Sequence, residues 1–427
     1  MMNEFKNKWK KVFSLILCTL IAVNSNALSV YATEDDVNEN SDNPIIVVSM
    51  GDSYSSGEGI EPFYGQDEGI ENKVKNPDWL AHRSTKSWSS RLKVDGLDGT
   101  LSDYKDENWF FVAASGAVTD NLKKKFDKDY DRDGCTGTYS LDPQLDVFDN
   151  FEKNTVDYVT LTFGGNDVGF SDIITTAVTD NLKEVGINGF IGIARATVIN
   201  GAFSVPYVNV NSLTDRFNQT WEDFYADGGT EYDIQKAYSD IAEAAGENAR
   251  IIVAGYPKLV EQNGKGLPFT KEQAEEINRN VTLFNEALRA IVTKCHDEKG
   301  MKIYFASVEE EFNGHEAYAD TPYINEIKFT QKQDLIKFAM PPVSAYSIHP
   351  NDDGAAAYAR CVQKTIDEIE AGLEEDTEEP TDDGSEKSDI QKKIDEEIER
   401  QQERALEWLE KKLEEWLNRW LMENCSC

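Results

Sequence analysis

Four residues far apart in the chain carry groups that together suit acyl transfer. They are Ser53 in Gly51-Asp52-Ser53, Gly116 in Ser115-Gly116-Ala117, Asn166 in Gly164-Gly165-Asn166-Asp167, and His349 in Ser347-Ile348-His349-Pro350. A serine hydroxyl is a weak nucleophile until a neighbouring base takes its proton. Imidazole suits that task because its pKa lies near neutrality. Attack on an ester puts negative charge on the carbonyl oxygen, and each donor fixed in advance for that charge is worth on the order of 10²–10³ in rate. The N–H groups of Ser53 and Gly116 and the side-chain amide of Asn166 are donors of this kind, and glycine at 116 lets backbone approach a substrate closely. Each residue also has a plainer role: Ser53 as a helix cap, Gly116 and Asn166 as turn formers, His349 as an ordinary loop histidine. The ordered set is what points to catalysis. Of four histidines, His82, His296, His315 and His349, the last alone sits in such a motif.

Something must bring these segments together. Five short apolar runs recur without alternation: residues 44–50 (PIIVVSM), 109–115 (WFFVAAS), 157–163 (DYVTLTF), 250–256 (RIIVAGY) and 302–308 (KIYFASV). Runs of this kind fit strands buried on both faces of a parallel sheet covered by helices. In such sheets ligands gather beyond the carboxyl ends of the strands, where Ser53, Gly116 and Asn166 stand. Helices are predicted from a capping box at Thr270-Lys-Glu-Gln273 to about Thr293, from Tyr232 to Ala245, and after Pro350 to about Ala371. Residues 171–230 form a long insertion of the sort that shapes a binding site.

Taken in order, the GDS of 51–53, the Gly of 115–117, the GGND of 164–167 and the His-Pro of 349–350 resemble the SGNH/GDSL hydrolases. GDSYSSGEG (51–59) and HRSTKSWSSRL (82–92) are similar to its secreted, actinobacterial-type esterase branch. The likeness covers about residues 44–371. It implies an α/β fold, a three-layer α/β/α sandwich with a mainly parallel five-stranded sheet. It implies Ser53 as nucleophile, His349 as base, and Ser53, Gly116 and Asn166 as oxyanion hole. Tyr54 and Asp167 are expected to line the substrate pocket; Trp79, Trp88 and the 171–230 insertion are candidates for shaping acyl or sugar access, with core packing the plainer role of each tryptophan.

Two departures matter. The family often has Asp three residues before the His, and here that position is Tyr346. The esterase branch lacks this Asp too and uses a main-chain carbonyl, which implies a Ser53–His349 dyad with the Tyr346 carbonyl orienting the imidazole. Asp352 and Asp353 are alternative orienters, with helix capping as their plainer role. Further, Ala81 and Ala114 stand where the branch commonly has cysteines, so its bridges do not carry over.

The remaining chain bounds the rest. Lys6, Lys8, Lys10 and Lys11 precede a short apolar run with a plausible cleavage site at Val30-Tyr31-Ala32, so residues 1–32 read as a signal peptide and the protein as secreted. Residues 33–43 are a polar leader. A formal net charge of −36 over 427 residues makes nucleic acid an unfavourable partner. Cys295–Cys361 is a candidate pair among the five cysteines beyond the leader. No cofactor is expected. Asp129, Asp131 and Asp133 match the first half of a calcium loop, but the twelfth position is Ser140 rather than Glu, and an acidic surface turn is the default. Residues 372–387 read as an acidic disordered linker. Residues 388–427 read as an amphipathic helix carrying Leu409, Leu413, Trp416 and Trp420, suited to self-association or contact with a surface. The expected activity is cleavage of carboxylic esters of a lipid, a small acyl group or an acetylated carbohydrate. The alternative is a non-catalytic extracellular glycan- or protein-binding module with a self-associating tail.

Overall fold

The structure is a computed structural model and describes residues 44–132, 135–170, 173–174, 210–262, 269–328 and 344–372. The predicted signal peptide and leader, most of the 171–230 insertion, Asp133, the linker from residue 373 and the helical tail lie outside the described residues.

The five apolar runs form one sheet. Its strands are β1 (Val47–Gly51), β2 (Trp109–Phe111), β5 (Tyr158–Thr162), β6 (Arg250–Ala254) and β7 (Ile303–Ala306), in the order β2-β1-β5-β6-β7. Every pairing in it is parallel, with Val48 opposite both Phe110 and Val159. All residues of β1 and β5 are buried, as strands covered on both faces must be. Polar atoms inside the sheet are matched: Ser49 Oγ lies 2.8 Å from Thr160 Oγ1 and accepts from Trp109 Nε1 at 2.8 Å.

The fold is the three-layer α/β/α sandwich, built on a mainly parallel sheet. A single-turn helix, α1 (Ser53–Ser56), follows β1. The longer helices are α2 (Val210–Phe224), α3 (Thr230–Ala245), α4 (Lys271–Lys299) and α5 (Asp352–Glu370). The capping box at Thr270 is present, and Ile277, Val281, Phe284 and Leu288 of α4 are buried as the periodicity requires. That helix runs past the predicted end near Thr293 because Cys295 prolongs the buried stripe, and it stops at Gly300 in left-handed conformation. Asn285 on α4 clamps the end of β6, accepting from Tyr256 N and donating to Tyr256 O.

Two expectations are corrected. Residues 126–141 form an antiparallel hairpin, β3 (Phe126–Arg132) with β4 (Cys135–Leu141). Asp129 and Asp131 therefore lie on an extended ladder opposite Thr138 and Thr136, not in an acidic turn. Cys295 and Cys361 are each free thiols, on α4 and α5 respectively. Spacing along a chain does not set the thiol-to-thiol geometry a disulfide needs.

Candidate active site

β1 ends at Gly51 in a conformation that side chains avoid, φ 112°, and a Cβ there would stand 2.2 Å from the Thr162 carbonyl oxygen. Gln144 braces the same glycine, accepting from its N–H at 2.7 Å and donating to its carbonyl at 2.8 Å. The chain then turns at once into α1. Asp52 caps that turn by accepting from Tyr54 N at 3.0 Å. Ser53 is thereby held at the strand end, with its hydroxyl facing the cleft.

His349 reaches the same point from the far end of the chain. Its Nε2 lies 2.8 Å from Ser53 Oγ. Its Nδ1 lies 3.0 Å from the carbonyl oxygen of Ser347, and that bond fixes the tautomer with the proton on Nδ1 and the lone pair on Nε2. The orienting carbonyl is thus Ser347 and not Tyr346. The reason is local: Ile348 takes a left-handed conformation, φ 58°, which turns the backbone one residue nearer the ring. The Tyr346 carbonyl instead faces Gly59. Backbone bonds at either side hold the strained turn, Ile348 N to Asn325 O at 3.0 Å and Asn325 N to His349 O at 2.8 Å. Burial pushes the His349 imidazole below its ordinary pKa, a shift opposed by the charge of Glu58 and by nearby carbonyls. Asp352 does not orient it. That carboxylate pairs with Arg91 and Lys86 in the first turn of α5, where Asn351 is the cap.

Gly116 and Asn166 line the same cavity as Ser53 and His349, a space of about 310 Å³. Among the described residues, no partner is recorded for the N–H of Ser53 or of Gly116. Asn166 Nδ2 donates to Ala117 O at 2.9 Å, which leaves its second hydrogen for another acceptor. Arg83, in the segment HRS, pins the strand that leads to Gly116 by donating to the carbonyls of Ala113 and Val112. The rest of the wall includes the apolar side chains of Phe170, Ile174, Leu259, Val281 and Ile327.

The two residues expected in the pocket differ in position. Tyr54 does line it, but its hydroxyl donates to Ile348 O at 2.7 Å and its ring lies 5.0 Å from that of His349, so it braces the histidine turn. Asp167 instead borders a neighbouring cavity, where it accepts from Thr119 N at 2.9 Å and Thr119 Oγ1 at 2.6 Å. Trp79 and Trp88 are buried, and Trp88 Nε1 donates to Tyr54 O.

Sequence reasoning missed the network beneath the nucleophile. Asp52 is buried and accepts from Thr162 Oγ1 at 2.6 Å and from the Tyr256 hydroxyl. That hydroxyl in turn accepts from Gly165 N at 3.1 Å, tying the Ser53 turn to the loop that carries Asn166. Burial raises the Asp52 carboxyl to about 6 against these hydrogen bonds. Tyr256 ends the fourth apolar run, beside the strand ends where ligands gather, and that position was the available signal. The pair of Glu58 Oε2 and His82 Nδ1, 2.6 Å apart, was also missed. Among the described residues, no group of three or more His, Cys, Asp or Glu is placed to hold a metal ion.

No family model matches the chain. It is 22% identical over 282 residues to Lipase 1 of Streptomyces coelicolor and 24% identical over 282 residues to a lipase of Streptomyces rimosus; each match covers 66% of this chain and 76% of the relative. Among solved structures, a phospholipase A1 from Streptomyces albidoflavus is similar with a TM-score of 0.49 at 19% identity, over 76% of this chain and 99% of that one. An extracellular lipase from Streptomyces rimosus is similar with a TM-score of 0.46 at 20% identity, over 75% and 99%. Both sequence relatives are Streptomyces lipases, and by its own motifs the chain resembles the SGNH/GDSL hydrolases of the actinobacterial-type branch.

Proposed function

We propose that the protein is an exported serine hydrolase of carboxylic esters, lipase-like in the sense of its Streptomyces relatives. The observation that carries this reading is the 2.8 Å contact between Ser53 Oγ and His349 Nε2, with Nδ1 of the same ring held on a carbonyl. The nucleophile and base are within hydrogen-bond reach and the base is oriented by a third group, which is the arrangement nucleophilic catalysis requires.

In the reaction, Ser53 Oγ attacks the ester carbonyl carbon and its proton passes to His349 Nε2. The carbonyl oxygen becomes an oxyanion and accepts from the N–H groups of Ser53 and Gly116 and from the Asn166 amide. Collapse breaks the bond to the leaving alcohol, which takes the proton from the imidazolium. Water then gives a proton to His349 and attacks the acyl group, and the carboxylic acid leaves as Ser53 recovers its hydrogen. The apolar wall formed by Phe170, Ile174, Leu259 and Val281 suits the acyl part of a lipid-like ester.

A fluorophosphonate probe tests the assignment. Wild type is expected to be labelled and Ser53→Ala is not; equal labelling of the two removes Ser53 from the reaction.

A further inference from the structure

Gly116 can serve an oxyanion only if its N–H points into the cavity, and its peptide has two ways to lie. Residues 114–117 form a tight turn closed by Ala117 N donating to Ala114 O at 3.0 Å. Gly116, the third residue of the turn, has φ 86°, while Ser115 before it has no positive φ, and that combination marks a type II turn. Types I and II differ by about a half-turn of the central peptide, here the one joining Ser115 to Gly116. Glycine takes either sign of φ, so the sequence leaves both orientations open. In a planar trans peptide the C=O and the N–H point in opposite directions. Whatever holds the Ser115 carbonyl therefore aims the Gly116 N–H.

What holds it is Lys128, whose Nζ donates to Ser115 O at 2.7 Å. Lys128 stands on β3 of the hairpin, opposite Tyr139 of β4. Phe126, two residues earlier on the same strand, shares its face. Lys128 Nζ lies 5.4 Å from the centre of the Phe126 ring, and a Cβ on Gly116 would stand 3.5 Å from Phe126 Cζ. Across from Phe126 is Leu141, which is buried in the core and anchors this end of the hairpin. The hairpin thus meets the Ser115–Gly116 peptide from its carbonyl side. Gly116 itself lines the cavity of Ser53 and His349, and among the described residues no partner is recorded for its N–H. A charge-assisted bond to a carbonyl also strengthens the N–H of the same peptide as a donor.

We propose that Lys128 is a positioning residue of the oxyanion hole: by holding the Ser115 carbonyl it keeps the Gly116 N–H aimed at the oxygen that becomes charged in acyl transfer. The inference rests on the Ser53–His349 reading above. It gives the β3–β4 hairpin a part in the reaction, through one side chain that touches no reacting atom.

The experiment is steady-state hydrolysis of a nitrophenyl acyl ester by wild type, Lys128→Met and Lys128→Arg, with kcat counted per site labelled by a fluorophosphonate probe. Lys128→Met keeps the stem and loses the donor, so kcat per labelled site is expected to fall about tenfold with KM little changed, the pattern of an interaction made in the transition state. Lys128→Arg keeps a charged donor and is expected to restore kcat to within about threefold of wild type. A purely structural role lowers the number of labelled sites and leaves kcat per site as it was, and that result overturns the proposal. So does a fall in kcat that Met and Arg share equally. Where Lys128→Met does not fold, Lys128→Gln, which shortens the stem and removes the charge, is read by the same criteria. Failure of the underlying reading looks different: wild type itself then shows no labelling dependent on Ser53.

Discussion

Asn166 offers the plainest test of a single side chain in this site. One hydrogen of its amide is held by Ala117 O, so the other is aimed by that bond and not by the substrate. Donors fixed before reaction act on the transition state more than on the ground state. Asn166→Ala is therefore expected to lower kcat by about 10²–10³ while KM changes little, measured by steady-state hydrolysis with circular dichroism as a check on folding. The base makes a second prediction. His349 must be neutral to accept a proton, and burial holds its pKa below the ordinary 6.5. The acid limb of kcat/KM is expected to have its midpoint below 6.5; a midpoint above it would mean that the ring is not buried as described. The meeting of Ser53 and His349 was legible in residue type and motif order, and for Ser53 in its place just past a strand end. The orienting carbonyl was misplaced by one residue because a left-handed Ile348 leaves no mark in the sequence.

The elements were legible to the degree that burial writes itself into composition. Four of the five strands lie within the apolar runs and β1 passes the end of its run by Gly51 alone, since a strand buried on both faces is mostly apolar and its few polar side chains, such as Ser49 and Thr160, must pair with one another. The β3–β4 hairpin was not legible. Its strands read FDKDYDR and CTGTYSL, with no apolar run to signal them. Helix α4 shows both sides of the matter. Its start was fixed by Thr270 and Gln273, which exchange hydrogen bonds, Gln273 N to Thr270 Oγ1 at 3.2 Å and Thr270 N to Gln273 Oε1 at 3.0 Å. Its end waited for Gly300. Thr270→Ala removes one half of that exchange and is expected to cost about 1 kcal/mol of stability, read from urea unfolding, with kcat unchanged because Thr270 is not among the residues that line the cavity of Ser53 and His349. The Cys295–Cys361 pairing failed for the opposite reason: two helices set that distance, and no local pattern reports it.

For the whole molecule the governing fact is acidity, a formal net charge of −36. Like charges at that density oppose the compact state and are screened by salt, so the melting temperature is expected to rise as salt is added at neutral pH. Inside the fold, acidity has a separate consequence at Asp52, whose carboxyl is raised from 3.8 to about 6 by burial beneath the nucleophile. A folded-state pKa above the unfolded one means that folding favours the protonated form. The corresponding stability is present in full below about pH 4 and is lost as pH rises through about 6. The shift corresponds to about 3 kcal/mol. His349 runs the other way, since a lowered pKa loses stability as pH falls below 6.5, so the two groups that flank Ser53 impose opposing slopes. Asp52→Asn separates them. Below about pH 4 the carboxyl is already neutral, and the difference between variant and wild type reflects shape and hydrogen bonds alone. Between pH 4 and 6 the variant is expected to gain on wild type by up to about 3 kcal/mol, because only the wild type must bury a charge. Urea unfolding at a series of pH values measures this, and a difference that stays constant with pH would mean that the carboxylate is stabilised as an anion by Thr162, Tyr256 and the backbone of α1.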